Sequence, residues 1–350
     1  MTLSKNIYIE AFDNYRKIGL DPLPIPHEDG HPRKGPKIAG WQTKAANGQY
    51  SDDDFAEPCN IGILLGGPRN LTDIDCDSPE AVLIGSEVMK TLSPTFTFGR
   101  PSKPRSHYIF YCDKSLPSEK ITDPADGECI IEYRCVKQDG ERGHQTVFPP
   151  SLRYDAKTGD VEVIDLEDDS TAQRAVVDAD KLHRRFQVIG AAFLLAKHFP
   201  VESERHNTIL ALSGVLARNG MAEEKAAMIV KLAYRYSCGY NHDGDKAEAD
   251  VKAVYKAHAK KSTIHLYGYP KLTESMPKAV VDKVLELLGI ERTDLDPGYN
   301  LTDAGNGRRL VDKHKDEIRY CVDDHEFYVW DGVRWRKDVI KKIQIGRAHV

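Results

Sequence analysis

The sequence predicts an α+β first half, an all-α middle and a small α/β segment at the C-terminal end. Three observations carry this reading. Six short runs rich in β-branched and aromatic residues lie between residues 60 and 148, flanked by Gly, Pro or Asp. Four helical segments with Ala/Leu/Val stripes fill residues 172–260, and two aromatic-rich runs face each other across Asp324-His325.

The 350 residues exceed a single domain at roughly 150 residues each. Forty percent hydrophobic and 29% charged residues place the chain among globular proteins, away from disordered and membrane classes. No apolar run approaches the ~18 residues of a membrane helix. Glu10 and Asp13 interrupt the N-terminal apolar stretch, which argues against a secretory leader. A soluble, cytoplasmic protein with no membrane partner is expected. The seven cysteines are scattered without a C-x-x-C pair, so they read as reduced thiols rather than a zinc ribbon. Residues 1–170 hold 19 basic and 29 acidic side chains, whereas the remainder holds 30 and 25. An acidic half that handles nucleic acid needs cations to bridge it to phosphates.

Taken in order, Ile7, Ala11, Phe12, Tyr15 and Ile18 recur at helical spacing, and Gly19 stops that helix. The proline-rich stretch to Trp41 reads as an ordered loop, since Ile25 and Trp41 need burial. Strands are predicted at 60–67, 71–77, 95–99, 106–112, 129–135 and 145–148, with a helix at 79–92 after an Asp77-Ser78 N-cap. Helices from about 172 to 260 form the helical domain, residues 262–276 a connector, and 277–290 one more helix. Residues 301–314 read as helix, and IRYCVDD with EFYVWDG as a hairpin.

The chemistry concentrates in Leu71-Thr-Asp-Ile-Asp-Cys-Asp77. On a strand, Asp73, Asp75 and Asp77 share one face, and three like charges there repel unless a cation lies between them. Oxygen ligands of this kind suit Mg²⁺ or Mn²⁺ together with substrate phosphates. The bland alternative is an acidic strand end in which Asp77 merely caps the next helix. Glu132, inside an apolar run, either pairs with Arg134 on the same face or completes the metal site. The segment Gly99–His107 carries Arg100, Lys103 and Arg105, then Ser106 and His107, with no acid between Glu87 and Asp113. As a cationic loop it suits a triphosphate; as a solvated loop it does nothing. Jointly these parts describe phosphoryl or nucleotidyl transfer with two metal ions. A G-x-x-x-x-G-K-[ST] phosphate loop does not occur, and Gly305-Asn-Gly307 lacks the third glycine of a dinucleotide fingerprint.

The order of these motifs resembles the archaeo-eukaryotic primase superfamily, and within it the bifunctional primase/polymerase (Prim-Pol) domain of phage and plasmid replication proteins. The resemblance covers about residues 5–165. It rests on Asp73–Ala81, Phe98–His107, Ile131–Arg134 and Gln145–Ser151, with Pro22–Trp41 similar to the family's N-terminal loop. It implies an RRM-like catalytic domain with a mixed or antiparallel sheet. It implies Asp73 and Asp75 as paired metal ligands, Glu132 as the third carboxylate and His107 on the nucleotide's phosphates. The register Asp75/Asp77 also fits, so Asp75 belongs to both alignments. Arg100, Lys103, Arg105, Ser106 and Arg134 are expected around the nucleotide, and Mg²⁺ or Mn²⁺ is the expected cofactor.

Residues 205–220 resemble the helical primase C-terminal domain, and 301–314 followed by 328–335 the lead-in to a superfamily-three helicase. The expected organisation is 1–170 catalytic, 171–262 helical, 263–300 linker and helix, 301–344 helicase-associated, and 345–350 a non-native tail, with the helicase module beyond the chain. The expected activity is template-dependent DNA primase/polymerase in a bacterial host cell, with single-stranded DNA and nucleoside triphosphates as partners. A non-catalytic replication-initiator module on the same fold and a metal-dependent nuclease are the competing readings; the cationic loop argues against the nuclease.

Overall fold

The computed structural model describes residues 5–55, 59–92, 94–167, 175–200, 202–237, 244–260, 268–290, 307, 310–311, 314 and 316–338. Helix α1 (Lys5–Lys17) buries Tyr8, Phe12 and Tyr15, and Gly19 ends it with a φ of 79°. The stretch expected to be loop contains strand β1 (Pro22–Pro26). Its prolines alternate, so only Leu23 and Ile25 have N–H groups for a ladder, which suits an edge strand. Helix α2 (Trp41–Ala46) and strand β2 (Cys59–Leu64) follow, and β1 pairs antiparallel with β2.

Strand β3 (Leu71–Cys76) leads into helix α3 (Pro79–Met89). The Ala81 amide donates to Ser78 Oγ at 3.1 Å, so Ser78, not Asp77, is the cap. Strands β4 (Phe96–Arg100) and β5 (Lys103–Cys112) form a tight hairpin with Arg100 opposite Lys103. The expected cationic loop is therefore mostly strand. Strands β6 (Glu119–Thr122), β7 (Cys129–Arg134) and β8 (Gln145–Phe148) come next, then β9 (Ser151–Tyr154) and β10 (Val161–Leu166). β6, β9 and β10 were not expected as strands, because EKIT and SLRY are short and VEVIDL mixes acids into an exposed alternation.

Two sheets result. One is antiparallel in the order β1-β2-β8; the other runs β6-β7-β3-β5-β4-β10-β9, with β3 flanked antiparallel by β5 and β7. Alternation along the central strands divides two cores. Ile74, Cys76, Tyr108, Phe110, Ile131 and Tyr133 belong to the cluster on the α3 side. Leu71, Phe96, Phe98, Ile109 and Tyr111 share the other cluster with Phe12, Ile61, Ile63 and Phe148 of α1 and the smaller sheet.

Helix α4 (Ala179–Lys197) begins later than its apolar pattern suggests. Val176–Val177 form a short strand, β11, parallel to the end of β5, and Asp178 then caps α4 by accepting from the Lys181 amide. Helices α5 (Glu202–Arg218), α6 (Glu223–Tyr236), α7 (Gly244–Ala259), α8 (Tyr269–Ser275) and α9 (Lys278–Leu287) complete the helical part, α8 lying within the expected connector. Buried packing continues from the larger sheet into the helical part. One buried cluster runs from the sheet through Phe186 and Ile189 of α4 into α5, α6 and α9, with the Tyr133 and Phe186 rings 5.8 Å apart.

At the C-terminal end β12 (Ile318–Cys321), β13 (Glu326–Trp330) and β14 (Trp335–Lys337) form a small antiparallel sheet, one strand more than the expected hairpin. Most of 301–314, and all of 345–350, lie outside the described residues. Among the described residues no helix is long and apolar enough to cross a membrane, and six cysteines are free thiols.

Candidate active site

Cross-strand register assembles the site. His107 on β5 and Glu132 on β7 both stand opposite Asp75 on β3, so one row across four strands carries an imidazole between a stacking ring and two carboxylates. The stacking ring is Phe98 on β4, opposite His107, with centroids 4.6 Å apart and planes 11° from parallel. Gly99 permits this. A Cβ there would lie 2.5 Å from the Lys103 carbonyl and 2.6 Å from the Arg105 amide, so the hairpin closes only over glycine.

One row deeper, Asp73 stands opposite Ile109 and Arg134 and is fully buried. Its carboxylate lies 3.2 Å from His107 Nδ1 and 3.5 Å from Arg134 Nη1. Burial works against its charge, but His107 and Arg134 outweigh that and hold its pKa below the usual carboxylate range. Burial likewise opposes protonation of His107, yet Asp75 and Asp73 raise its pKa above the ordinary imidazole value. His107 Nε2 lies 3.6 Å from Asp75 Oδ1. Arg134 reaches Asp75 at 3.2 Å and Glu132 at 3.7 Å, and donates to the Gln145 carbonyl.

Asp75, Asp77 and Glu132 line a cavity of about 500 Å³ that His107 also lines. Burial raises the Glu132 pKa, and Asp75, Asp77 and Asp73 add to it against the opposing pull of Arg134. Asp77, Cys129 and Glu132 each bring one donor atom within 4.8 Å of the others. Burial and the Asp77 carboxylate push the Cys129 thiol up to about 12. That group of three is two carboxylates and a thiol, and Asp75 lines the same cavity beside it.

Of the expected residues, Asp75, Asp77, Glu132, His107, Arg134, Arg100 and Lys103 line this cavity. Asp73 is behind it. Ser106 is buried on the opposite face, since its side chain alternates with that of His107. Arg105, with a φ of 54° and its amide donating to Glu167 at 3.3 Å, does not line the cavity either. Further lining residues were missed by sequence reading: Arg33 and Lys34 from the loop after β1, and Arg153 and Tyr154 from β9. Arg33 and Lys34 had a signal in the basic run His31-Pro-Arg-Lys-Gly-Pro-Lys37, whereas Arg153 had none.

Residues 13–181 match the family model described as bifunctional DNA primase/polymerase, N-terminal. That match spans the site and both sheets and reaches the first residues of α4. No curated protein matches the chain.

Proposed function

We propose that residues 13–181 are the catalytic domain of a template-dependent DNA primase/polymerase, a nucleotidyltransferase that joins nucleoside triphosphates along single-stranded DNA. The observation that carries this is the row His107, Asp75, Glu132 across three strands, with Asp77 beside it, lining one cavity inside the matched segment.

The ligand register that fits is Asp75, Asp77 and Glu132, because these three reach the cavity and Asp73 does not. Their crowding, which keeps the Glu132 pKa raised, fits a bound divalent cation. Mg²⁺ or Mn²⁺ held there supplies charge neutralisation for the attacking hydroxyl and the leaving pyrophosphate. Asp73 takes the Nδ1 side of His107, which fixes the ring and leaves Nε2 as the nitrogen toward the cavity. A protonated His107 donates from there to a phosphate oxygen, and the Phe98 stack keeps the ring from turning. Lys103, beside Asp77 at 3.5 Å, adds positive charge at the same edge. Helices α4–α7, in the basic half of the chain, are the proposed contact for template, as in replication proteins of phage or plasmid type.

Incorporation of labelled nucleotides on a single-stranded template with Mg²⁺ or Mn²⁺ tests this. Activity is expected, with loss on chelation and a fall of about a hundredfold or more in Asp75→Ala and Glu132→Gln. Full activity in Asp75→Ala overturns the metal assignment. DNA binding without incorporation under either ion favours a non-catalytic module, and nucleotide release from DNA without triphosphates favours a nuclease.

A further inference from the structure

The cations that the sequence makes conspicuous are largely committed to acids within the fold. Arg100 Nε lies 3.0 Å from Glu162, Lys103 Nζ 3.5 Å from Asp77, and Arg134 Nη1 3.2 Å from Asp75. Arg33 is paired with Glu28. Two cations lining the same cavity differ: among the described residues, neither Lys34 nor Arg153 has an acidic partner within ion-pair distance. They come from separate elements, Lys34 from the loop after β1 and Arg153 from β9. The Gln145 side-chain amide fixes the Lys34 backbone by donating to its carbonyl at 2.6 Å.

From this arrangement we infer that Lys34 and Arg153 receive the anionic part of the ligand in this cavity and take the pyrophosphate end of the substrate. This rests on the nucleotidyltransferase reading and assigns a role within it. Neither cation is salt-bridged among the described residues, and each has positive neighbours, Arg153 and Arg100 beside Lys34 and Arg100 beside Arg153, a repulsion that a bound polyanion relieves. Electrostatics agree. Burial lowers the Lys34 pKa and Arg153 and Arg100 lower it further, against Asp75 and Asp77. Burial lowers the Arg153 pKa and Arg100 adds to it, against Asp155 and Glu162. The Arg153 guanidinium donates from Nη1 to the Tyr154 carbonyl and keeps its other N–H groups for a phosphate, while the Lys34 ammonium brings a compact charge.

Titration calorimetry of the chain with pyrophosphate, in buffer containing Mn²⁺, tests the inference. Wild type is expected to bind, Lys34→Gln and Arg153→Gln each to weaken binding by about tenfold or more, and Arg100→Gln to stay within about threefold because Glu162 already holds that charge. Both residues are on the cavity wall rather than in a core, and the thermal transition of each variant verifies its fold. Absence of binding by wild type overturns the inference, as does wild-type affinity in both variants or an Arg100→Gln loss equal to that of Lys34→Gln. A chain that binds pyrophosphate through these residues yet incorporates no nucleotide keeps this inference and loses the primase reading. A chain that incorporates nucleotides while both variants bind like wild type loses only this inference.

Discussion

His107 Nδ1 lies 3.2 Å from both carboxylate oxygens of Asp73, a residue with no exposed surface. The first aspartate of the triad is thereby a support for the histidine, and the two that follow it face the cavity. Asp73→Asn keeps the shape and removes the charge, which leaves Arg134 and His107 with a buried partner missing. Urea unfolding is expected to show a loss of about 3 kcal/mol or more, with Mn²⁺ affinity within about threefold of wild type. Asp77→Ala is expected to do the reverse: stability within about 0.5 kcal/mol, and Mn²⁺ binding weakened beyond the about tenfold that even an outer-shell loss costs. Manganese titration followed by electron paramagnetic resonance separates the two, and equal effects on metal binding would sink this division of roles.

Ser78 stands next to Asp77 and caps α3. Ser78→Ala should cost about 1 kcal/mol through the lost N-cap. Because the cap fixes the chain where Asp77 leaves the strand, Mn²⁺ affinity should fall in the same variant. A stability loss with unchanged metal binding would show that Asp77 is positioned by β3 alone.

The alternation Asp73, Asp75, Asp77 was legible because a strand sends alternate residues to one face whatever the tertiary context. Which of the three reaches the cavity was not legible. That depends on how far β3 extends past Ile109 and Arg134, its neighbours in the deeper row, and nothing in the local sequence encodes those partners. Glu132 and His107 were found because an acid or an imidazole in an apolar strand needs a reason. Arg134, expected at the nucleotide, lines the cavity and also pairs with Asp73, Asp75 and Glu132. Lys34 and Arg153 are brought together only by the tertiary fold, so no local spacing announces them. β1 escaped notice because prolines are usually read as breakers, and an edge strand is the exception.

Outside the cavity lining, Asp123 is buried beside Lys197 at 2.9 Å and His198 at 2.8 Å and accepts from the Ala125 amide at 2.9 Å. This ties the end of α4 to the loop after β6. Burial opposes its charge, but the Ala125 amide, Lys197 and His198 hold its pKa below the usual carboxylate value. A depressed folded-state pKa gives stability that is present above the unfolded value of about 3.9 and is lost as pH falls through the folded one. Asp123→Asn should therefore be less stable than wild type at pH 7 by about 1.5–3 kcal/mol. The difference should shrink below about pH 4. Denaturant midpoints across pH read this directly; a difference independent of pH down to full protonation would refute the charge assignment.

The β4–β5 hairpin sets both His107 and Lys103, and its geometry depends on Gly99. Glu162 locks the turn from outside, accepting from the Ser102 amide at 2.7 Å, Ser102 Oγ at 2.6 Å and Arg100 Nε at 3.0 Å. The strands can move apart little, so a methyl at Gly99 meets backbone rather than a side chain that could swing away. Gly99→Ala should cost about 1–3 kcal/mol, the range for overpacking a closed site. Opening the hairpin also draws His107 away from the Phe98 ring and Lys103 away from Asp77, so metal and pyrophosphate binding should weaken together. Glu162→Gln loosens the turn from the other side, and in the double variant the methyl should be partly relieved. The combined loss should then be smaller than the sum of the single ones, a coupling that urea unfolding of the three variants measures. Strict additivity would mean that Glu162 does not constrain the strand carrying Gly99.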